Sequence, residues 1–252
     1  MAIVAADLLC FASVNMPFAD TGTNGGAIDL LRRVEYTQLA ANDDIEVISS
    51  AAGDTQNCTI TGRNAAGSIV SETAALTGVT AKIFATLGVI ERVLSVELAS
   101  VAIGTVTVRR SVAGATVGVI PIGERGFMAL FQRISSDPSV QKNFYTKVFL
   151  KNNHATLSLL GALVKQNADP DSRIMHLLAN AVNDSATAAD RITAPSAANT
   201  QDPDTFDDTD KAVPGTDLAA TAAIGVWLRA QLPTADPPHR TTYILELAGS
   251  ST

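Results

Sequence analysis

The stretch NCTITGRNAAGSIVSETAALTG, residues 57–78, carries the clearest fold signal in the chain. Two segments in which apolar and β-branched polar residues alternate, 58–61 and 68–73, flank a break at residues 63–67. Asn64 and Gly67 in that break are residue types that tolerate a positive φ angle, so the stretch predicts a β-hairpin closed by a loop built on a type I turn. Because two strands alone bury too little apolar surface to be stable in water, this hairpin requires partner strands on both sides.

Further short segments with strand-like patterns surround the hairpin and are separated by turn signals. They are residues 44–50, 89–98, 104–109, 116–122 and 127–134. Pro121 cannot donate a ladder hydrogen bond, which places the fourth of these segments at a sheet edge or ends it there. About seven short strands at this spacing predict a β-sandwich over residues 27–136.

A second group of predicted strands follows the breaker sequence that ends at Asp137 and Pro138. These strands are residues 144–150, 155–164, 172–178, 224–231 and 241–247. Residues 180–217 interrupt them with a composition rich in Ala, Asp, Thr and Pro, which predicts a long insertion loop. Residues 17–26 form a breaker-rich loop directly before the first sandwich. Residues 1–26 are therefore expected to form an extended N-terminal arm. The predicted fold is therefore all-β, with two tandem Ig-like β-sandwich domains over residues 27–136 and 137–252.

The hairpin stretch also resembles a known pattern. TITGRNAAGSIVSETAALTG, residues 59–78, followed by RVLSV, residues 92–96, is similar to a pattern in virion structural proteins of tailed bacteriophages that reads roughly VTGTDAAGNVITETLALNG…FKRVLSI. The resemblance covers about residues 44–123, with a faint echo at 225–229 and 243–245. It implies a head decoration or cement protein of β-sandwich fold, and the pattern includes no catalytic residue. It further implies the major capsid protein and other copies of the chain, as a homotrimer, as partners on the head exterior of the virion.

Composition and charge exclude several classes of protein. The chain has 252 residues, of which 46% are hydrophobic and 17% charged, with a mean hydropathy of +0.20, so it can bury a sizeable core and is too apolar to be disordered. The net charge is −7, and the basic residues form no run longer than the pairs 32–33 and 109–110, which argues against direct binding to nucleic acid. No stretch approaches the length of a membrane span, and Asp7 interrupts the apolar start before it could serve as a secretory signal. Synthesis in the bacterial host cytoplasm and the absence of a membrane partner are therefore expected, and Cys10 and Cys58 are expected to be reduced, buried thiols.

The residue types that carry chemistry are present, but their spacing indicates no reactive centre. The chain has no Gly-x-Ser-x-Gly motif, and its three histidines, His154, His176 and His239, have no His-x-x-x-His or Cys-x-x-Cys partner for zinc. Trp227 lies in an apolar segment, which is typical of a core residue. We therefore predict no catalytic residue, no cofactor and no metal site, and the chain is not expected to be an enzyme.

The acidic segment Asp202–Asp210 is the sharpest local feature outside the hairpin. Its five carboxylates in nine residues could ligate Ca²⁺, although the segment lacks the glycine and the distal glutamate of an EF-hand loop. A solvated acidic tip and a salt-bridging contact with a neighbouring subunit are the alternatives, and because Asp-rich loops are usually just solvated, no metal site is predicted here.

The expected function is that of a non-enzymatic structural protein of a tailed phage particle, namely a decoration protein that binds the outer head surface and stabilises it. Residues 1–26 and 180–217 are the segments expected to reach neighbouring subunits. One alternative is a tail tube, baseplate or fibre component. Another is a host-surface or carbohydrate-binding module, which would need an exposed aromatic platform in a chain with 5% aromatic residues.

Overall fold

The computed structural model describes residues 2–168, 172–201, 206–237 and 243–251, and within these ranges the chain contains strands and two short 3-10 turns but no α-helix. The predicted all-β class is confirmed. No helix in these ranges has the length and apolarity to cross a membrane. The strands are β1 (Leu8–Asn15), β2 (Asn24–Arg33), β3 (Ile45–Ser49), β4 (Asn57–Arg63), β5 (Ile69–Ala75), β6 (Lys82–Ile83), β7 (Arg92–Leu98), β8 (Val106–Arg110), β9 (Thr116–Ile120), β10 (Gly126–Met128), β11 (Lys142–Asn152), β12 (Leu159–Ala168), β13 (Ile174–Val182), β14 (Thr187–Ala188), β15 (Lys211–Ala212), β16 (Ala223–Leu232) and β17 (Ile244–Ser251).

The chain divides into two compact units, and the division differs from the predicted tandem order. Unit 1 combines residues 1–29 with residues 133–252, and unit 2 comprises residues 30–132. The ends of unit 2 fall close to the predicted limits of the first sandwich. However, residues 1–29 belong to the same unit as the C-terminal half, because β1 pairs with β11 rather than standing apart.

Unit 2 consists of two antiparallel groups of strands around an apolar core. One group has the order β10–β7–β4–β5, with β10 parallel to the end of β2, and the other has the order β6–β3–β8–β9. Alternate residues of both groups supply the core: Ile60 and Val96 from the first, and Val47 and Val108 from the second. The arrangement is sandwich-like, as alternating strands with one buried face require.

The hairpin from which the sequence argument began is present as β4 and β5. Seven residue pairs join the strands, from Asn57↔Ala75 to Arg63↔Ile69. In the turn, Gly67 adopts a φ of 80° and its N–H donates to the Asn64 carbonyl at 2.9 Å. The Asn64 side-chain oxygen accepts the N–H groups of Ala66 and Ser68, at 3.1 and 3.0 Å. The turn residues therefore close the hairpin by the local chemistry that the sequence predicted.

Unit 1 contains a sheet with the order β13–β16–β11–β1–β2, in which β14 pairs with β2, and a smaller sheet with the order β15–β12–β17. Lys147 on β11 is fully buried in it. Its Nζ donates to the carbonyl oxygens of Gly26 and Ala186, both at 3.1 Å, forms an ion pair with Asp184, and lies 5.4 Å from the centre of the Trp227 ring. Burial lowers the pKa of Lys147, and the contact with Asp184 opposes that shift. Trp227 is itself fully buried, which confirms its predicted core position.

The predicted extended arm over residues 1–26 is replaced by sheet structure. β1 lies between β11 and β2, in a register that runs from Leu8↔Asn152 to Ala12↔Val148, and Phe11 is buried. The short apolar run was visible in the sequence, but its partner strand lies about 140 residues away in the chain. Local periodicity gives no information about such a partner, and this is why the run was read as part of an arm.

The described part of the predicted insertion loop, residues 180–217, runs alongside β13. Thr200 forms a bridge with Ala179, Asp207 forms one with His176, and the Gln201 N–H donates to the Leu178 carbonyl at 2.8 Å. The segment also contributes β14 and β15. The described part of this segment therefore covers a sheet edge in its own unit and is not a free loop, and its expected contact with a neighbouring subunit stays a prediction.

Candidate interaction surface

The ligand-type side chains singled out from the sequence have structural roles where they are described. The His154 ring Nδ1 accepts the N–H groups of Thr156 and Leu157, at 3.2 and 3.0 Å, and so shapes a turn. His176 is fully buried on β13, and His239 lies outside the described residues. Burial raises the pKa of the Cys58 thiol to about 12, so this thiol is protonated at neutral pH. Cys10 is half-buried, and neither cysteine forms a disulfide. Within the described ranges, no three His, Cys, Asp or Glu side chains form a group that could hold a metal ion.

The acidic segment is only partly described, because Asp202 and Asp204 fall outside the described residues. Asp207 accepts hydrogen bonds from the Lys211 Nζ at 2.8 Å and the Thr209 hydroxyl at 2.6 Å. Burial alone would raise the pKa of Asp207, but the hydrogen bonds from Lys211 and Thr209 outweigh burial and lower it to about 2. Asp210 pairs with Lys165 at 3.0 Å. Two of the carboxylates considered as calcium ligands therefore form salt bridges within the chain.

Four loops meet at one end of unit 2 and form the surface that we call the apolar end. Each loop is next to a strand end on the same side of the unit. The loops are residues 50–53 after β3, 77–81 after β5, 99–105 between β7 and β8, and 121–123 after β9. None of these segments contains a charged residue. Their large apolar side chains are exposed by 56% for Val79, 44% for Val101, 62% for Ile103 and 67% for Ile122.

Backbone hydrogen bonds join these loops into one surface. The Gly123 N–H donates to the Ala102 carbonyl at 2.9 Å, and the Ala102 N–H donates to the Glu124 carbonyl at 2.8 Å. Thr105 and Ser50 are joined by a backbone bond of 3.0 Å from the Ser50 N–H and by a side-chain bond of 2.9 Å to the Ser50 hydroxyl. The loops are therefore held by their own backbone and do not depend on a partner for their shape.

A single buried carboxylate, Asp54, organises the centre of the apolar end. Its Oδ1 accepts the N–H of Ile103 at 2.9 Å, and its Oδ2 accepts the N–H of Gly104 at 2.9 Å and the hydroxyl of Ser49 at 2.5 Å. Its backbone carbonyl accepts the N–H of Gly78 at 3.1 Å, which connects the loop after β5. Burial alone would raise the pKa of Asp54, yet these hydrogen bonds lower it, so the carboxylate is charged at neutral pH.

The sequence analysis did not identify the apolar end. Its residues are dispersed over four loops, and the local patterns were read as strand ends and turns. The signal available in the sequence was the combination of Val or Ile with Gly in uncharged segments, such as VAIG at 101–104 and PIG at 121–123. Only the tertiary structure places these segments together.

The apolar end has the properties of a protein-binding surface. Its four loops carry no charged residue, expose four branched apolar side chains and are joined by backbone hydrogen bonds, and exposed apolar surface of this kind is a feature of interaction sites. Among the described aromatic side chains, Phe18 is exposed and Trp227 is buried. A single exposed ring does not form a comparable platform on which a sugar could stack.

Comparisons with known proteins do not assign a family. No protein-family model matches the chain. No curated protein matches it either. Among solved structures, one similarity is to the structure of infectious bursal disease virus, Gx strain, at 13% identity over 97% of this chain and 66% of that chain. The TM-score is 0.13, which is too low for this similarity to carry any argument about fold or function.

Proposed function

We propose that this chain is a non-enzymatic structural protein that uses the apolar end of unit 2 to bind another protein in a large assembly. The observation that carries the proposal is the uncharged surface formed by four loops around the buried Asp54. Burying its exposed Val and Ile side chains against a partner would contribute the favourable hydrophobic term of association. Because the loops are already held in place, little conformational entropy is lost when they bind.

The assembly that we propose is the head of a tailed bacteriophage, with this chain as a decoration or cement protein on its outer surface. Support comes from the resemblance of residues 59–78 to virion structural proteins, a stretch that forms the β4–β5 hairpin. In this proposal the major capsid protein is the partner, and three copies of the chain form a homotrimer. The two units of each copy are Ig-like sandwiches that act as rigid bodies. Weak contacts repeated over a symmetric lattice would hold many copies in place and stabilise the shell.

The copy number of this chain in purified native particles tests the proposal. Quantitative mass spectrometry would give its ratio to the major shell protein. A ratio near one to one is expected for a decoration protein on the head lattice. A few copies per particle would instead assign it to the tail tube, baseplate or fibre, and absence from particles would favour a host-surface or carbohydrate-binding module.

A further inference from the structure

β5 is the last strand of its sheet and pairs with another strand on one side only. Its partner is β4, and the seven residue pairs between them are consecutive and contain no bulge. Within the described ranges, no strand pairs with the opposite side of β5. The edge is about 23 Å long at the usual rise of a strand, which is enough for an added strand of ordinary length.

The register shows which backbone groups of β5 face outward. The Leu76 N–H donates to the Gln56 carbonyl at 3.1 Å, and the Asn64 N–H donates to the Ser68 carbonyl at 3.0 Å. Because hydrogen-bonded pairs alternate along an antiparallel ladder, the even-numbered residues of β5 bond to β4. The N–H and C=O groups of the odd-numbered residues therefore point away from the sheet. The outward set is Ile69, Ser71, Thr73 and Ala75.

Most other sheet edges are covered, short or irregular, and β17, which pairs on one side only with β12, does so through two register shifts. Thr200 and Asp207 bridge to β13, the Thr37 N–H donates to the Val117 carbonyl on β9 at 2.7 Å, and β6 is only two residues long. Soluble proteins commonly guard an open edge with proline, lysine or a bulge. β5 has the sequence IVSETAA and contains no proline, lysine or bulge. Its one charged residue, Glu72, is on the inner face, where a charge discourages strand addition unless the added strand supplies the opposite charge.

The two faces of β5 define what an added strand would meet. On the outer face, the Thr59 and Thr73 hydroxyls lie 2.8 Å apart, and those of Thr61 and Ser71 lie 3.3 Å apart. On the inner face, Val70 and Ala74 pack partly against the core of unit 2. An added strand with small hydroxyl residues on one face and apolar residues on the other would continue both faces.

Glu72 lies between Val70 and Ala74 and is the charged residue of β5. Its Oε2 accepts the Leu87 N–H at 2.6 Å. No Lys or Arg of the described chain forms a salt bridge with it. A residue directly opposite Glu72 on an added strand would be its cross-strand neighbour, and a basic residue there is favourable. By the same rule, a second β5 paired symmetrically about Glu72 would bring two carboxylates together.

We propose that the outer edge of β5 binds an extended segment of another protein by antiparallel strand addition. The segment places a Lys or Arg opposite Glu72 and apolar residues two positions away on either side, opposite Val70 and Ala74. Antiparallel pairing continues the order of β7, β4 and β5. This edge is distinct from the apolar end, and the inference does not depend on the proposed location in a phage head.

Amide hydrogen exchange tests the inference on the whole chain. In the free protein, the amides of the four outward residues should exchange rapidly, while those of Val70, Glu72 and Ala74 should be protected. The probe is a seven-residue synthetic peptide in which valine, lysine and valine alternate with four threonines, so that it spans the whole of Ile69–Ala75. Its addition should protect the four outward amides and leave the inward ones unchanged.

Two variants of β5 sharpen the test. Glu72→Lys should weaken binding of the lysine peptide by about three- to tenfold and should strengthen binding of a matched peptide that carries glutamate instead. Thr73→Pro removes an outward N–H without removing a bond to β4, and should weaken both peptides by more than about tenfold. Glu97→Lys on the central strand β7 is the matched control, and it should leave peptide affinity unchanged.

Three results would overturn the inference. The first is peptide binding without protection of the outward amides. The second is peptide binding that neither Glu72→Lys nor Thr73→Pro weakens. Continued protection of the inward amides in both variants would show that they are folded. The third is slow exchange of the outward amides in a dimer of the chain without peptide, which would make a second copy the occupant of the edge.

Discussion

Asp54 is a buried carboxylate that forms no salt bridge with any residue the structure describes. Its charge is stabilised by hydrogen bonds from Ile103, Gly104 and Ser49, together with one from the Gln56 amide at 3.1 Å. Hydrogen bonds to charged groups are stronger than those between neutral groups, and a buried donor that loses its acceptor is costly. This side chain therefore holds the loop of residues 99–105 against Ser49 and Gln56 at the apolar end.

Replacing this carboxylate should destabilise unit 2. In Asp54→Asn, an NH₂ group takes the place of one oxygen and faces backbone donors, so we expect the free energy of unfolding to fall by about 2–4 kcal/mol. Urea unfolding, with hydrogen exchange of the unit 2 amides as the readout, measures the change. Asp44→Asn, which changes a half-buried carboxylate of the same unit, should have an effect close to zero. Equal effects of the two substitutions would contradict the role assigned to Asp54.

His176 should make stability depend on pH. Burial lowers its pKa to about 4 from an unfolded value of 6.5, the charge of Lys211 contributes in the same direction, and the charge of Asp207 opposes it. Between these values the unfolded chain binds a proton that the folded chain does not. Stability is therefore fully present above pH 6.5 and falls as the pH drops towards 4, by up to about 3 kcal/mol.

Thermal unfolding measured from pH 7 to pH 4.5 would show this dependence. The Asp207 carboxylate, whose pKa is about 2 in the folded chain against 3.8 in the unfolded chain, affects stability mainly below that window. His176→Gln should flatten the curve, and His154→Gln should keep its slope even where it lowers stability overall. An unchanged slope in His176→Gln would assign the dependence to other groups.

β1 shows how an element can depend on a distant partner. It is an interior strand of its sheet, between β11 and β2, and it contributes the buried residues Phe11 and Ala12. Removing an interior strand exposes two new sheet edges and the apolar face that the strand covered. The element is therefore expected to be essential to the fold of unit 1.

Deleting residues 1–15 should consequently abolish protection of the β11 amides in unit 1. Hydrogen exchange measured strand by strand provides the readout. Deleting only residues 1–3, which precede β1, should leave β11 protected. Retained protection of β11 after the longer deletion would mean that residues 1–15 are an accessory segment, as the sequence alone had suggested.

At the scale of the whole molecule, charge is distributed unevenly. The chain has a net charge of −7, but the four loops of the apolar end contain no charged residue. Several charges of unit 2 are used in internal ion pairs, such as Arg33 with Glu124 at 2.7 Å and Arg109 with Glu46 at 2.7 Å. Partly exposed pairs of this kind contribute little to stability. They neutralise charges outside the four loops, and the apolar end is therefore a separate, neutral surface.

The double substitution Ile103→Ser with Ile122→Ser should reduce incorporation of the chain into native particles, because it removes exposed apolar area from the apolar end. Mass spectrometry of purified particles measures incorporation. Val89→Ser with Val112→Ser is a matched control, since both valines are exposed and neither belongs to the apolar end. Equal incorporation of the two double variants would exclude the apolar end as the contact surface.

Features that depend on neighbouring residues could be predicted from the amino-acid sequence. The alternation of residues 57–75 and the turn chemistry of Asn64 and Gly67 were sufficient for the hairpin, because strand faces and turns follow from local periodicity and backbone preference. The same reasoning correctly gave the all-β class and the burial of Trp227.

The pairing of segments that are distant in the chain could not be predicted from local patterns and becomes visible in the folded structure. The pairing of β1 with β11, the assignment of residues 1–29 to the unit of the C-terminal half, and the assembly of four loops around Asp54 all join residues far apart in the chain. Many strands could pair with a given apolar run at similar local free energy, so periodicity does not select among them. Burial of a shared core selects one pairing, and that selection is a property of the whole fold.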